Sequence, residues 1–288
     1  MRGVIDIVVN PLTPRIVAAR PEWTRQFHTQ KIGRDAADVH SVSLEQMLEQ
    51  MDAAGIERAF LISCKLGQLG TPGAWHMPDE WIAGAVAQYP TRFHGLAGVD
   101  PTEGMEGVRR LERAVRDHGF IGAHTYPHWF ELPPNHARYY PFYAKCCELG
   151  IPIQMQVGQS LIYDSARRLR SVGRPICLDD IACDFPELKL IGIHIGIPWH
   201  DEMIAMAWKH ENVFIGTDAH SPKYWPASFV QYANTYGRHK VMFGTDFPVL
   251  AFERTVAEIE ALGLRPETLR LMMRDNALRV YGLEGTTA

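Results

Sequence analysis

We predict a single-domain (β/α)8 TIM barrel for this chain of 288 residues. The main observation is periodicity, since eight short, β-branched apolar runs alternate from end to end with eight longer amphipathic segments. Eight such units favour a parallel barrel that closes on itself. The second observation is that no G-x-G-x-x-G motif follows an early run, as an open dinucleotide-binding sheet would require.

The predicted strands and helices follow one another along the whole chain. The strands are residues 4–9, 58–63, 92–99, 120–124, 151–157, 188–194, 212–216 and 240–244. The helices are residues 43–54, 79–89, 105–118, 138–149, 174–184, 201–210, 226–236 and 252–262, and a further helical pattern covers 266–282. Ser43 can cap the first helix, and Gly55, Gly119 and Gly150 stand just past helix ends, where a left-handed residue is favoured.

The long connection of residues 11–42 is predicted to be a lid loop over the mouth of a barrel domain spanning residues 1–288. It contains prolines and aromatic side chains, including Trp23 and Phe27, but little periodicity. Insertions of this length usually carry function or specificity. The segment also holds four arginines that could pair with a substrate carboxylate or be solvated loop charges: Arg15, Arg20, Arg25 and Arg34.

The composition argues against polyanionic partners. Lys and Arg total 29 against 33 acidic residues, a formal charge of -4, so we expect no surface for nucleic acid or for an anionic membrane. No apolar run approaches the ~20 residues of a membrane helix, and no signal-peptide core follows Met1. The five cysteines lack a paired C-x-x-C spacing, which is typical of reduced thiols. A cytoplasmic protein is therefore expected.

The candidate site residues lie at the carboxyl ends of the strands, where barrel enzymes place their reacting groups. The candidate catalytic residues are Asp246, His194, Gln156 and His124. The candidate substrate-binding residues are Tyr126, His128, Asn10, Trp199 and Phe247. Asp218 and His220 end the seventh strand and are given no role, because a histidine at a strand end is often only a hydrogen-bonded rim residue.

Six segments follow one another in a definite order: "IDIVVN", "ELGIPIQMQVG", "PELKLIGIHIG", "ENVFIGT", "KVMFGTDFP" and "DNALRVYGL". Together they resemble the amidohydrolase-related family, in the branch of aminocarboxymuconate-semialdehyde decarboxylase and related aromatic-acid decarboxylases and lactonases. The resemblance covers nearly the whole chain and implies the same barrel fold. It also implies one metal ion, commonly zinc, held by two histidines on the first strand, one on the fifth and an aspartate on the eighth.

Most of these ligands are absent at the matching positions. The first-strand histidines fall on Val8 and Asn10, and the fifth-strand histidine falls on Gln156. The aspartate matches Asp246, and His194 matches a sixth-strand histidine that acts beside the metal-bound water or the substrate. Valine cannot coordinate a metal, and amide oxygens are feeble donors to zinc. We therefore expect no cofactor, while a divalent metal in an altered site stays open, with the ligands His124, His194 and Asp246.

The leading hypothesis is a metal-independent hydrolase acting on a small carboxylated or lactone-like metabolite. Asp246 would be the general base, His194 would polarise the carbonyl, and Gln156 would donate to the oxyanion. The first alternative is a decarboxylase of the same family. The others are a non-catalytic partner subunit of a catalytic barrel and a binding protein for small aromatic acids. The resemblance also implies a homo-oligomer or a hetero-oligomer with a related barrel.

Overall fold

The computed structural model describes residues 2–33, 41–161, 164 and 166–285 of the chain. Its main sheet has eight parallel strands that neighbour one another in the order of the sequence. We number them β1 to β8: Val4–Val9, Ile56–Ile62, Phe93–Gly98, Gly122–Thr125, Ile153–Gln156, Leu190–Ile193, Val213–Gly216 and Val241–Met242. Each lies within a few residues of a predicted strand.

The sheet closes between the chain after β8 and strand β1. Val9 pairs in parallel with Phe247, and the Asp246 amide donates to the Val8 carbonyl at 2.9 Å. The Ile7 amide donates to the carbonyl of Phe243, the residue that follows β8, at 3.1 Å. These bonds join the last strand region to the first. The chain is therefore a single-domain (β/α)8 TIM barrel, and the fold prediction is confirmed.

Thirteen α-helices of the described residues accompany the strands. They are α1 Pro14–Ala19, α2 Glu22–Gln26, α3 Leu44–Ala54, α4 Asp79–Gln88, α5 Gly104–His118, α6 Pro127–Phe130, α7 Tyr140–Leu149, α8 Leu178–Asp184, α9 His200–Lys209, α10 Ala227–Ala233, α11 Phe252–Glu260, α12 Pro266–Arg270 and α13 Asn276–Tyr281. Ser43 caps α3 through a capping box, and Gly55 ends it in the left-handed conformation, as predicted. None of the described helices is both long and apolar enough to cross a membrane.

The strands are shielded on both faces, which explains why their sequences are almost continuously apolar. All six residues of β1 are buried, including Asp6. The side-chain amide of Gln154 lies inside the barrel and has hydrogen-bond partners there. Its Nε2 donates to the Ile7 carbonyl at 2.7 Å and to the Tyr281 hydroxyl at 2.6 Å. The barrel centre is thus a packed core, and the strand ends stand on a rigid base.

The described part of the connection between β1 and β2 is mostly helical, whereas the sequence predicted an irregular loop. Helix α1 begins at Pro14, whose fixed φ suits a first helical turn, and α2 is followed by a π-helical turn at Phe27–Lys31. These helices are too short to show a helical period, which is why the pattern missed them. Arg34 lies outside the described residues.

Gly98, the last residue of β3, packs against the chain that leads from β2 into a two-stranded hairpin, Lys65–Leu66 with Trp75–His76. A Cβ at Gly98 would lie 1.9 Å from the Ser63 carbonyl oxygen. We expect Gly98→Ala to lower the free energy of unfolding by about 3 kcal/mol in a urea titration, because backbone cannot move aside easily.

Gly84 in α4 provides the matched control, since a Cβ there would meet no atom within 4 Å. Gly84→Ala should be neutral or stabilising by up to about 1 kcal/mol, because alanine favours the helix. If the two variants unfold at the same urea concentration, the close approach at Gly98 does not hold the β2 and β3 ends together.

Candidate active site

Two cavities open at the carboxyl ends of the strands and share Gln156, His194 and Asp246. The first holds about 610 Å³ of empty space, part of it open to solvent, and its wall includes Arg20 and Trp23 from the segment between β1 and β2. The second holds about 1190 Å³ of empty space, part of it open to solvent, and extends along the chain that follows β7. A strand-end cavity with convergent polar groups is the usual place for an active site in this fold.

His194, Asp218 and Asp246 form a compact cluster between the two cavities. The His194 Nε2 atom lies 3.2 Å from Asp218 Oδ2 and 3.9 Å from Asp246 Oδ2. The other oxygen of Asp218 accepts a hydrogen bond from the His194 backbone amide at 3.1 Å. The three residues follow β6, β7 and β8, so three neighbouring strands bring them together.

The cluster residues stand on unusual backbone. His194 has φ of +68° and Asp246 has φ of +55°, in the left-handed region that residues other than glycine seldom adopt. Ala219, which follows Asp218, has φ of +66°. Such conformations persist where the surroundings fix them, and they concentrate at functional sites.

Asp6 is part of what fixes Asp246. Its Oδ2 accepts a hydrogen bond from the Thr245 hydroxyl at 2.6 Å, and its Oδ1 accepts from the Thr245 amide at 3.1 Å. The Thr245 hydroxyl oxygen in turn accepts from the Phe247 amide at 3.0 Å. The one charged residue of β1 therefore holds both neighbours of Asp246 in the chain.

Asn10, just past β1, holds the Asp246 side chain itself. The Asn10 Nδ2 donates to Asp246 Oδ1 at 2.6 Å, and the Asn10 Oδ1 accepts from the Cys64 thiol at 3.4 Å. The Cys64 sulfur lies 3.7 Å from the Tyr126 hydroxyl. One oxygen of Asp246 is thus committed to Asn10, and the other, Oδ2, faces His194.

Gln156, at the end of β5, pairs with His194 in the same way. The Gln156 side-chain amide lies 3.2 Å from the His194 Nδ1 atom, and the His194 Nε2 atom faces the two carboxylates. Gln156 therefore fixes the orientation of the imidazole ring. Asn10 and Gln156, both predicted site residues, meet in one site with Asp246 and His194.

Charge and burial act in opposite directions on the cluster. Burial disfavours the imidazolium, but the carboxylates of Asp218 and Asp246 outweigh it and raise the pKa of His194. Burial raises the pKa of Asp246, while the charge of His194 opposes the rise. His220, whose ring centroid lies 6.2 Å from that of His194, has its pKa lowered to about 4 by burial and is neutral at pH 7.

Two histidines predicted at the site have structural hydrogen bonds and line neither cavity. His124, predicted as catalytic and as a metal ligand, pairs through Nδ1 with Gln154 Oε1 at 3.0 Å, and burial lowers its pKa to about 4. His128 pairs through Nε2 with the Gly158 carbonyl at 2.9 Å, and burial lowers its pKa to about 4. Both side chains are buried, and residue spacing could not show that they are absent from the walls of these two cavities.

Two predicted substrate-binding aromatic residues also point elsewhere. Trp199 precedes α9 and lies under the Arg174 guanidinium, 4.6 Å from its centre. Phe247 is buried and stacks on Phe252 with ring centroids 4.3 Å apart. Neither lines the two cavities, whereas Tyr126 does.

Several site residues were not assigned from the sequence. Asp218 was noted at a strand end but given no role, and Arg20 was one of four arginines considered together. Trp75 lines the first cavity and was not considered, whereas Trp129, which also lines it and lies 4.8 Å from Trp23 between ring centroids, had been considered for a substrate pocket or for core packing. The only available signal for Asp218 was its place in "IGTDAH", directly after a strand.

A family model of the amidohydrolases matches residues 5–283 of the chain. The chain belongs to the amidohydrolase family. It lies in the branch that resembles aminocarboxymuconate-semialdehyde decarboxylase, as its similarity to aromatic-acid decarboxylases shows.

This amidohydrolase is similar to two curated enzymes over part of their length. It is 25% identical over 226 residues to a γ-resorcylate decarboxylase from Polaromonas sp. strain JS666, covering 59% of this chain and 64% of that protein. It is 26% identical over 217 residues to a 2-keto-4-carboxy-3-hexenedioate hydratase from Sphingobium sp. strain SYK-6, covering 63% of each. The matches therefore span somewhat less than two thirds of either relative.

A solved structure of a dihydroxybenzoic acid decarboxylase from Polaromonas sp. JS666 has the same fold, with a TM-score of 0.74, 19% identity and 98% of each chain covered. That enzyme contains bound manganese and the inhibitor 2-nitroresorcinol. The finding contradicts our expectation that no cofactor is needed, and that expectation was wrong. It gave the loss of the first-strand and fifth-strand ligands more weight than the altered site, which the sequence analysis had left open.

The side chains of this amidohydrolase could bind a cation at the ends of β6, β7 and β8, but not at the positions where the family usually binds its metal. The positions that the family resemblance implies do not fit, because Val8 has no donor atom and the amides of Asn10 and Gln156 are engaged in hydrogen bonds. His194, Asp218 and Asp246 do fit, since each offers a ligand atom and these atoms lie within 4.8 Å of one another. Imidazole nitrogen and carboxylate oxygen suit divalent ions such as manganese.

Proposed function

We propose that this amidohydrolase is a divalent-metal-dependent decarboxylase of small aromatic carboxylic acids. The observation that carries the proposal is the cluster of His194, Asp218 and Asp246 at the edge of an aromatic-walled cavity. The relatives support carbon–carbon bond cleavage more than hydrolysis. The decarboxylase alternative therefore replaces the hydrolase as our main hypothesis.

The first cavity suits a flat ring with an acidic group. Its wall carries five aromatic side chains, Trp23, Phe27, Trp75, Tyr126 and Trp129. Aromatic walls bind planar rings by offset stacking and edge contacts.

Arg20 gives this cavity a positive charge. Its guanidinium lies 5.6 Å from the Trp75 ring centroid, and its Nε atom is buried without a hydrogen-bond partner among the described residues. A buried, unpaired guanidinium N–H is costly unless a ligand satisfies it. A substrate carboxylate or phenolate would do so through a charge-assisted bond.

The chemistry needs a proton for the ring carbon and stabilisation of negative charge. A divalent cation at the cluster would supply positive charge beside the acidic groups of the substrate. As the bond between ring and carboxylate breaks, its electron pair stays on the ring carbon and CO₂ leaves. Asp246, which faces the cavity, would deliver the proton to that carbon.

The test is to incubate the Mn²⁺-loaded protein with γ-resorcylate and a panel of other hydroxybenzoates, and in separate reactions with an unsaturated carboxylic acid and with lactones. Equal amounts of CO₂ and decarboxylated phenol are expected from at least one of them. Loss of enoate absorbance without CO₂ would indicate a hydratase, and cleavage of lactones alone would restore the hydrolase hypothesis. Inactivity that is relieved by adding a related catalytic barrel would support the partner-subunit alternative.

Arg20→Met is expected to raise KM for the aromatic acid about 10- to 100-fold, the usual effect of losing a hydrogen bond to a charged group. The kcat should change less than KM, because Arg20 would hold the acidic group of the substrate and would not deliver the proton. Steady-state rates of product formation give both KM and kcat. Arg15→Met is the matched control, since Arg15 is on the same helix but stacks on Trp81 at 4.4 Å. An unchanged KM in Arg20→Met would show that this charge does not hold the substrate.

A further inference from the structure

We infer that the cation site of this chain has moved within the barrel, from β1, β5 and β8 to the ends of β6, β7 and β8, with His194, Asp218 and Asp246 as its ligands. The inference deepens the proposed function, because it names the residues that hold the metal. Two of the positions that lost their metal ligands have acquired another role. Asn10 and Gln156 now orient the new ligands instead of binding the metal.

The distances within the cluster are close to those a cation requires. Ligands about 2.1 Å from a hard divalent ion lie about 3 Å apart when they occupy neighbouring octahedral positions. His194 Nε2 lies 3.2 Å from Asp218 Oδ2 and 3.9 Å from Asp246 Oδ2. Side-chain shifts of less than about 1 Å therefore bring all three atoms into a first coordination shell.

Asp218 carries an independent sign of a ligand. Its side chain is completely buried, its Oδ1 is bonded to the His194 amide, and its Oδ2 faces His194 Nε2 at 3.2 Å without the geometry of a hydrogen bond. A buried carboxylate oxygen is rarely left without a hydrogen-bond partner or a metal. Asp218 Oδ2 points at the two other ligand atoms, where a cation would satisfy it.

The former ligand positions act on the new ligands through hydrogen bonds. Asn10 binds Asp246 Oδ1 at 2.6 Å and leaves Oδ2 for the cation. The Gln156 Nε2 atom lies 3.2 Å from His194 Nδ1, where it can donate a hydrogen bond, and it holds the imidazole ring with Nε2 toward the two carboxylates. Groups that orient ligands in this way typically change metal affinity 10- to 100-fold when removed.

Two other groups of acidic and metal-binding side chains compare unfavourably with this one. His76, Asp100 and Glu103 stand beside the buried Lys65 and the partly exposed Arg110, whose charges repel a metal. The group Asp179, Cys183 and His210 is partly exposed, and Lys209 already pairs with Asp179 at 2.6 Å. These two groups provide controls for a binding experiment.

The experiment is a titration of the chelator-stripped full-length protein with Mn²⁺, followed by electron paramagnetic resonance of the free ion. The wild type should bind one Mn²⁺. Asp218→Asn and Asp246→Asn should weaken binding by about 100-fold or more, and Asn10→Ala and Gln156→Ala by about 10- to 100-fold. Asp100→Asn and Asp179→Asn, in the two other groups, should bind as the wild type does.

The inference is overturned if the wild type binds no Mn²⁺ at millimolar concentration, or if Asp218→Asn binds within threefold of wild type. Loss of binding in Asp100→Asn or Asp179→Asn would place the cation elsewhere. Circular dichroism checks that each variant is folded. Where a carboxylate variant does not fold, unchanged affinity in both Asn10→Ala and Gln156→Ala would contradict the inference equally.

The outcome is separate from that of the proposed function. Mn²⁺ bound at the cluster without release of CO₂ from any aromatic acid would refute the decarboxylase and leave the cation site standing. Release of CO₂ by protein whose Mn²⁺ affinity does not depend on Asp218 would support the decarboxylase and refute the cation site.

Discussion

Asp246→Asn is expected to lower kcat/KM for release of CO₂ by about 10³-fold or more. The side chain has two roles in our account, since it faces the cavity as a proton donor and contributes a carboxylate to the cluster. A positioned acid or base alone contributes about 10²- to 10⁴-fold. Asparagine has a similar shape, but it has no acidic proton and is a weaker cation donor. The rate of phenol formation under saturating Mn²⁺ is the measurement.

Asp117→Asn is the control for this variant, because Asp117 is exposed near the end of α5, on the outside of the barrel. It should retain wild-type kinetics. A fall of less than about tenfold in Asp246→Asn, in protein that melts normally, would mean that Asp246 is not the reacting group.

Asp6→Ala is expected to have the largest effect on stability among the residues that support the site. The substitution removes the acceptor of three hydrogen bonds, from the Val8 amide, the Thr245 amide and the Thr245 hydroxyl. Leaving buried donors unpaired costs about 1–3 kcal/mol for each, so we expect a loss of about 3 kcal/mol or more. Urea unfolding gives this free energy, and turnover should fall as well, because Thr245 positions Asp246.

Asp6→Asn keeps the shape of the side chain but removes its ionisable group. Comparing it with the wild type therefore shows how the titration of Asp6 changes the free energy of unfolding with pH. Burial raises the pKa of Asp6 from its usual 3.8 to about 7, although the hydrogen bonds from Thr245 and Val8 oppose the rise. The folded state therefore binds the proton more tightly than the unfolded state. As the pH rises from about 4 to about 7, the wild type should lose stability relative to Asp6→Asn, and the difference should level off above that range. A difference that does not vary with pH would show that Asp6 titrates normally.

The sequence was sufficient to predict the barrel because strand and helix periods are local properties. The ends of β6 and β8 could be identified in the same way, and with them His194 and Asp246. The resemblance to the family then identified which positions had lost their usual ligands, among them Asn10 and Gln156. The sequence could not show that these two amides face Asp246 and His194, since that depends on neighbouring strands closing into one ring.

The side chains that lie elsewhere than the strand period predicts have a common physical cause. Near the strand ends the backbone leaves the regular strand geometry, with positive φ at His194, Ala219 and Asp246, so a side chain no longer points where a period of two would place it. Phe247 therefore packs into the core, while Asp218 points into the cluster. Arg20 was one of four arginines in a segment without periodicity, and only the fold of α1 and α2 separates it from the others.

Diffraction from crystals grown with saturating Mn²⁺ and measured at the manganese absorption edge tests the central claim most directly. We predict one strong anomalous peak in each chain, bonded to His194, Asp218 and Asp246, with Asn10 and Gln156 in contact with the ligands and not with the metal. A peak coordinated by Asn10 or Gln156, a peak at Asp179 or His76 alone, or no peak beside Asp218 would contradict the account.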